Sequence, residues 1–182
     1  ADATGHGLTA AISVLPVLAL FYRLCNANQS LSTIIRDINQ QLRESMPVGR
    51  FVAATFVCLD EHLQSGEIWI AGTPEVLLVD DKGQVNQRFA STQLPLGISD
   101  LRSDDSKPTV FHWPPDAQVV LVSDGLIEAE NEAGEQFGMD RLIAALAAVP
   151  KANRFDSVQT QLAQHLGQSR TAADDVSIMM ID

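Results

Sequence analysis

The hydrophobic period of the chain changes near residue 50. Before it, Leu31, Ile38 and Leu42 share a helical spacing behind Ser30, a residue type that favours helix N-termini. After it, β-branched and aromatic residues fill residues 51–59 (FVAATFVCL), which is typical of a strand. Helices that precede a block of strands, instead of alternating with them, predict an α+β fold with a largely antiparallel sheet.

The remaining elements follow from apolar runs and the turn residues between them. Further strands are predicted at residues 67–71, 75–79, 84–89, 109–113, 118–122 and 176–181, and further helices at 8–24, 140–148 and 156–166. The short strands between residues 51 and 89, separated by tight turns, indicate an antiparallel meander. A length of 182 residues suits one domain, residues 1–182.

The chain is acidic, with a formal net charge of −11 and a sequence pI of about 4.6. This charge argues against nucleic acid and anionic membranes as partners, because both require basic patches. Solubility is its simplest explanation, although an acidic chain is also compatible with a site for divalent cations.

The longest apolar stretch, residues 8–25, is interrupted by Ser13 and Pro16. It is too short and broken for a membrane span, so we expect a helix buried on nearly all sides at the centre of the fold. Cys25 and Cys58 lie in apolar runs without a CxxC neighbour, which favours buried, reduced thiols and a cytoplasmic location.

Three aspartates stand at the ends of predicted elements. Asp2 precedes a glycine turn and a helix, Asp124 follows a strand, and Asp174 precedes one. Taken alone, each is better explained as a terminus, a turn or a cap than as a metal ligand. If they converge, their mutual repulsion requires a cation between them, and oxygen-only ligands suit Mg²⁺ or Mn²⁺. Periodicity alone does not bring the three together.

Six stretches resemble, in the same order, the motifs of the SpoIIE-type branch of the metal-dependent, protein phosphatase 2C-like serine/threonine phosphatases. They are residues 2–7 (DATGHG), 51–55 (FVAAT), 71–75 (AGTPE), 94–97 (LPLG), 123–129 (SDGLIEA) and 174–177 (DDVS). The resemblance covers essentially the whole chain. It implies two largely antiparallel β-sheets sandwiched between helices.

The resemblance also implies roles for individual residues. Asp2 matches the aspartate that bridges two metal ions, with the backbone carbonyl of Ala3 as a neighbouring ligand. Asp124 and Asp174 match the other metal-binding aspartates, so two Mn²⁺ or Mg²⁺ ions are expected in the intact domain. His6 is a candidate general acid for the leaving oxygen. Alternatively, His6 orders the glycine turn around it.

The chain departs from the family pattern at three positions of these motifs. Ala1 stands in place of a glycine, Thr73 in place of a histidine and Glu75 in place of a proline. The family also has strands and an acidic, glycine-rich element before the first motif, which completes the second metal site. We therefore expect an N-terminally incomplete excerpt of a longer protein, whose activity as an isolated fragment is left open.

The resemblance implies a bacterial signalling phosphatase, the output domain of a two-component or stress-response regulator behind a receiver or sensor domain. The expected substrate is a phosphorylated anti-sigma-factor antagonist, and a homodimer is left open. The alternative is a non-catalytic adaptor of the same fold that binds a sigma factor or its regulator. A weaker alternative is a metal-dependent hydrolase of a small phosphoester.

Overall fold

The computed structural model describes residues 1–4, 8–47, 49–167 and 172–182. Its elements are β1 (Asp2–Ala3), α1 (Leu8–Asn26), α2 (Leu31–Ser45), β2 (Val52–Asp60), β3 (Ser65–Ala71), β4 (Val76–Val79), β5 (Val85–Phe89), β6 (Thr109–His112), β7 (Gln118–Val122), α3 (Asp124–Ile127), α4 (Gly138–Ala147), a 3₁₀ turn (Lys151–Asn153), α5 (Arg154–Leu166) and β8 (Ile178–Ile181). The predicted α+β class is confirmed.

The strands form two antiparallel four-stranded sheets, in the orders β1-β2-β3-β6 and β5-β4-β7-β8. The two antiparallel sheets implied by the family resemblance are therefore confirmed. The single meander predicted over residues 51–89 is wrong, because β3 and β4 belong to different sheets. The chain leaves β3 at Gly72, whose φ of +79° is a left-handed conformation that favours glycine.

The chain divides into two compact units, each with its own sheet. The first comprises Ala1–Thr73 and Ser91–Trp113, and the second comprises Pro74–Ala90 and Pro114–Asp182.

Helix α2 supplies the centre of the apolar core in the first unit. Ser30 caps the helix by accepting a hydrogen bond from the backbone N–H of Thr33. Ile35, Ile38 and Leu42 are fully buried in the core cluster. The helix predicted from apolar spacing is thus confirmed, because these side chains form one stripe facing the core.

Helix α1 is apolar but is not buried on all sides. Leu15, Leu18 and Tyr22 are 60%, 49% and 59% exposed, whereas Val17 and Leu24 are buried in the core. The prediction of a helix buried on nearly all sides is wrong, because several of the α1 side chains that the structure describes lie outside the core. No helix in the described part of the chain is long and apolar enough to cross a membrane.

The prediction of two buried thiols is also wrong. Cys25 is half-buried beside the core, and Cys58 is exposed. Cys58 lies near the C-terminal end of β2, opposite Glu67 of β3. The side chains of β2 are more exposed at this end than at its beginning.

The second unit has a separate apolar core under its sheet. All four residues of β4 are buried, and two of them, Leu77 and Val79, pack with helix residues that include Leu126, Leu142, Leu146 and Val158. This core holds β7 and α3, the elements on either side of Ser123.

Candidate metal centre

Asp124 lies where strand β7 passes into the short helix α3. Ser123 occupies the N-cap position in an extended conformation, and Asp124 is the first helical residue. The Asp124 carboxylate is half-buried, and its Oδ1 accepts the backbone N–H of Gly125 at 2.9 Å. The turn predicted at this Asp-Gly pair is therefore the start of a helix, with the carboxylate over its first turn.

Asp174 lies in the turn that leads into β8. Asp174 is exposed, and its Oδ1 accepts the backbone N–H of Asp175 at 2.8 Å. Strand β8 then pairs with β7, with Ile178 opposite Val122. This register brings the chain before β8 to the end of β7, where Asp124 lies.

The two turns are in direct contact. A Cβ on Gly125 would overlap the carbonyl oxygen of Asp175 and would lie 3.3 Å from the carbonyl carbon of Asp174. Ser123 joins them further: its Oγ donates to the carbonyl of Asp175 at 3.1 Å and accepts the N–H of Ser177 at 2.9 Å. The structure thus brings Asp124 and Asp174 onto adjoining turns.

The donor chemistry of these turns fits a hard cation. Each aspartate uses Oδ1 for its own following N–H, which leaves Oδ2 as an acceptor. Paired carboxylate oxygens are the ligands that Mg²⁺ and Mn²⁺ prefer. In the described part of the chain, however, no group of three or more His, Cys, Asp or Glu side chains is gathered as a metal site.

Asp2 and Ala3 belong to the first unit. They form β1, with Asp2 opposite Ala53 and Ala3 opposite Val52. Asp2 is exposed, whereas Ala3 packs against the core. The alternation along the strand therefore places the Asp2 side chain on the face opposite the core.

Two hydrogen-bonded clamps hold the end of β1. The Oγ1 of Thr4 accepts the N–H of Phe51 at 3.0 Å, and the N–H of Thr4 donates to the Phe51 carbonyl at 3.0 Å. Arg50 donates from Nη1 to the Thr4 carbonyl at 2.6 Å. These bonds tie the end of β1 to the residues just before β2.

Residues 71–73, from the motif in which threonine and glutamate replace the family's histidine and proline, form an ordered corner of the first unit. The hydroxyls of Thr55 and Thr73 share a hydrogen bond of 2.5 Å, and Ser91 accepts the N–H of Gly72 at 2.7 Å. A Cβ on Gly72 would lie 2.6 Å from Cγ of Pro95. Thr73, which stands where the family has histidine, thus gains a partner that sequence reasoning missed.

His6, the candidate general acid, lies outside the described residues. Among the other histidines, His62 and His112 are exposed. His165 is half-buried and is 2.9 Å from the carbonyl of Glu135 through its Nε2. His165 therefore anchors the loop after α3.

The family model described as "Stage II sporulation protein E (SpoIIE)" matches residues 1–182. The chain belongs to the SpoIIE family. Comparison with curated proteins gives no match. The phosphatase 2C-like fold of this SpoIIE-family chain is confirmed by several solved structures.

The SiaA-PP2C domain of Pseudomonas aeruginosa is 21% identical, with a TM-score of 0.79, and the match covers 98% of this chain and 72% of that one. The phosphatase domain of Bacillus subtilis SpoIIE with a fragment of its regulatory domain is 14% identical, with a TM-score of 0.78 over 97% of this chain and 51% of that one. RsbX in complex with magnesium is 14% identical, with a TM-score of 0.67, and the match covers 98% of this chain and 77% of that one. The SpoIIE-family chain spans about half of the Bacillus SpoIIE chain.

Proposed function

We propose that this SpoIIE-family domain is a protein phosphatase that hydrolyses phosphoserine or phosphothreonine with two Mn²⁺ or Mg²⁺ ions. The observation that carries the proposal is the contact between Gly125 and the backbone of Asp174 and Asp175, which joins two motif aspartates. The magnesium complex of RsbX, a structural neighbour, supports the choice of a divalent cation.

In this proposal Asp2, Asp124, Asp174 and the carbonyl of Ala3 hold the ions. When bound, two such ions would lower the pKa of a water molecule and would neutralise the phosphate of the substrate. Ser123 keeps the Asp174 turn against the Asp124 turn through its two hydrogen bonds.

His6 protonates the departing serine or threonine oxygen in this mechanism, since a histidine can exchange a proton near neutral pH. The proton on the leaving group prevents the release of an alkoxide. No residue of the chain would need to form a covalent intermediate, because hydroxide made available by the ions would attack phosphorus directly.

We infer a phosphorylated anti-sigma-factor antagonist as the substrate, and a receiver or sensor domain upstream in the same cytoplasmic chain. The Bacillus subtilis neighbour, whose phosphatase domain is accompanied by a regulatory fragment, supports such an arrangement. The alternative is an adaptor that binds a sigma factor or its regulator without hydrolysis.

Phosphate release separates the two functions. The protein is incubated with Mn²⁺ and either a phosphoserine protein or an aryl phosphate, with and without EDTA. We expect release that EDTA abolishes and that Asp124→Ala reduces by at least about a hundredfold, whereas Asp116→Asn, an exposed turn residue, leaves it unchanged. Release that survives Asp124→Ala contradicts the metal assignment, and no release by the wild type favours the adaptor.

A further inference from the structure

Aromatic rings fix how helix α1 lies on strand β2 in the first unit. The ring of Phe21 on α1 packs against the ring of Phe56 on β2, with 6.1 Å between the ring centroids. Phe56 in turn packs against Trp69 on β3, with 6.0 Å between the centroids. Because Trp69 is buried in the core, this row of rings sets the position of α1 along β2.

The two cysteines of the chain lie one step beyond this aromatic pair, on the same faces of the two elements. Cys25 follows Phe21 by four residues, so both side chains lie on one face of α1, about 6 Å apart along the helix axis. Cys58 follows Phe56 by two residues, so both lie on one face of β2, about 7 Å apart along the strand. The two steps are nearly equal in length, so the thiols lie at one level when both elements run in the same direction.

Helix α1 and strand β2 do run in the same direction. Leu8, where α1 begins, follows Ala3 of β1 by only five residues, and β1 pairs with the first two residues of β2. The start of α1 therefore lies near the start of β2, whereas the aromatic contact lies further along both elements. Continuing in that direction, α1 reaches Cys25 and β2 reaches Cys58.

The surroundings of the two thiols agree with this placement. Cys25 packs against the same core cluster as Phe56, and Cys58 is the more exposed of the two cysteines. Burial, and then the charges of Glu67 and Asp60, raise the pKa of the Cys58 thiol, and a negative charge on Cys25 is close enough to raise it further. The two cysteines, which are separated in sequence by the whole of α2, are therefore neighbours in the fold.

We propose that Cys25 and Cys58 form a redox modification site, at which a low-molecular-weight disulfide oxidises the two thiols to an intramolecular disulfide. The exposed Cys58 reacts first: its thiolate attacks one sulfur of oxidised glutathione, forms a mixed disulfide and releases one glutathione thiolate. The thiolate of Cys25 then attacks the Cys58 sulfur and releases the second glutathione thiolate. The two protons of the protein thiols end on the two glutathione molecules, so one disulfide is reduced for each one formed.

The disulfide ties the last turn of α1 to β2 and closes a loop that contains α2, the helix at the centre of the core in this unit. A disulfide requires the two Cα atoms to come within about 7 Å, so its formation depends on how α1 packs on β2. A fold that holds the two thiols together favours the disulfide, and by linkage the disulfide stabilises that fold by the same factor. Oxidation is thus a reversible lock on the end of α1.

The competing explanation is that the two cysteines only fill space beside the core. In that case each thiol reacts with glutathione independently, and folding does not promote a bond between them. The effective concentration of one thiol at the other separates the explanations, because an unfolded chain that joins two thiols by a flexible segment gives a value in the millimolar range.

The test equilibrates the reduced protein with mixtures of reduced and oxidised glutathione, in buffer and in concentrated urea, and identifies the products by mass spectrometry of unreduced peptides. The ratio of intramolecular to mixed disulfide gives the effective concentration. We expect it to be at least about tenfold higher in the folded protein than in urea. The oxidised wild type should also unfold at a higher urea concentration than the reduced wild type.

Two variants serve as controls. Cys25→Ser should stop at the mixed disulfide on Cys58. The matched control combines Cys58→Ser with Val57→Cys, which moves the thiol to the opposite face of β2 with almost the same loop length. It should match the wild type in urea and lack the higher effective concentration in the folded state.

An effective concentration in the folded wild type that is no higher than in urea overturns the proposal. A disulfide in the Val57→Cys control that is as favourable as in the wild type also overturns it, and so does an oxidised wild type that unfolds at a lower urea concentration than the reduced protein. Phosphate hydrolysis is independent of these outcomes, because the release of phosphate is measured in an experiment of its own.

Discussion

Gly125 packs directly on the main chain of Asp175, so closely that the position admits no Cβ. The contact joins the first turn of α3, just after β7, to the turn before β8, and Gly125 and Asp175 are 50 residues apart in sequence. It is the feature of the second unit that brings Asp124 beside Asp174. A shift of the backbone at Gly125 or at Asp175 would separate the Asp124 turn from the Asp174 turn.

Gly125→Ala should push these turns apart. Its Cβ would overlap the Asp175 carbonyl, a backbone atom that cannot rotate away, so we expect a loss of about 1–3 kcal/mol in the free energy of unfolding. Urea denaturation measures the loss, and Mn²⁺ affinity should fall with it. Gly134→Asn is the control, because its left-handed position is open and Asn tolerates that conformation. A Gly125→Ala protein with unchanged Mn²⁺ affinity would show that the contact does not position the aspartates.

Ser123→Ala should affect metal affinity more than stability. It removes the hydroxyl that bonds both Asp175 and Ser177, at a cost of about 1 kcal/mol in the free energy of unfolding. Mn²⁺ affinity should fall about tenfold, because the Asp174 turn loses its support.

The control for that change is Ser157→Ala. Its hydroxyl donates to the carbonyl of Ala145 at 2.8 Å, in the helical part of the same unit. A similar loss of stability with unchanged Mn²⁺ affinity is expected. Equal effects of the two variants on Mn²⁺ binding would contradict a positioning role for Ser123.

Arg154 should be essential for the stability of the second unit. It is fully buried, and its Nη2 donates to the carbonyls of Asp80 and Asp81 at 2.6 and 3.2 Å. Arg154→Lys has a single nitrogen in place of the two that bond these carbonyls and the Oε1 of Gln118, so we expect a loss of about 2–4 kcal/mol in urea denaturation. Arg141→Lys, an exposed arginine that also donates to two carbonyls, should cost less than about 1 kcal/mol. Similar losses for the two variants would mean that burial does not set the cost.

Cys58 should react slowly with alkylating agents below its pKa. Partial burial, and then the negative charges of Glu67 and Asp60, raise the pKa of its thiol. In a Cys25→Ser background, Glu67→Gln should move the pH profile of iodoacetamide alkylation to lower pH, because the thiolate loses a repelling neighbour. Glu44→Gln, a change on helix α2, should leave the profile in place. A profile unaffected by Glu67→Gln would contradict the electrostatic cause.

The raised pKa of Cys58 also predicts how the free energy of unfolding changes with pH. A thiol whose pKa is raised by folding favours the protonated form, so its contribution is present below the unfolded pKa and is lost as the pH rises through the folded pKa. Cys58→Ser should therefore make the alkaline decline of the unfolding free energy shallower, as urea denaturation at several pH values would measure. An unchanged decline would rule out this contribution.

Local patterns in the sequence predicted most elements. The helical stripe of Leu31, Ile38 and Leu42 required only spacing, and all three side chains are buried. The exposed side of α1 was not predictable from its composition, because coverage of an apolar helix depends on which elements pack beside it. The division of residues 51–89 between two sheets is likewise a tertiary choice, made where the chain turns at Gly72.

In the candidate site, too, the local sequence predicted some features, whereas others depend on tertiary contacts. Sequence motifs singled out Asp124 and Asp174, and their adjoining turns agree with that pairing. The hydroxyl of Ser123 and the bond between Thr55 and Thr73 were not predictable, since they join residues distant in the chain and lack any periodic signal. Asp2 as a metal ligand, with the carbonyl of Ala3, stays a prediction.

The most direct measurement of the central claim is a titration of Mn²⁺ into the protein, with bound ion followed by electron paramagnetic resonance. We predict that Asp2→Asn, Asp124→Asn and Asp174→Asn each weaken Mn²⁺ binding at least about tenfold, since even contacts one layer further from a metal contribute that much. Asp156→Asn, on α5, should bind as the wild type does. Binding curves for the three motif variants that coincide with the wild type would contradict the metal-dependent phosphatase site.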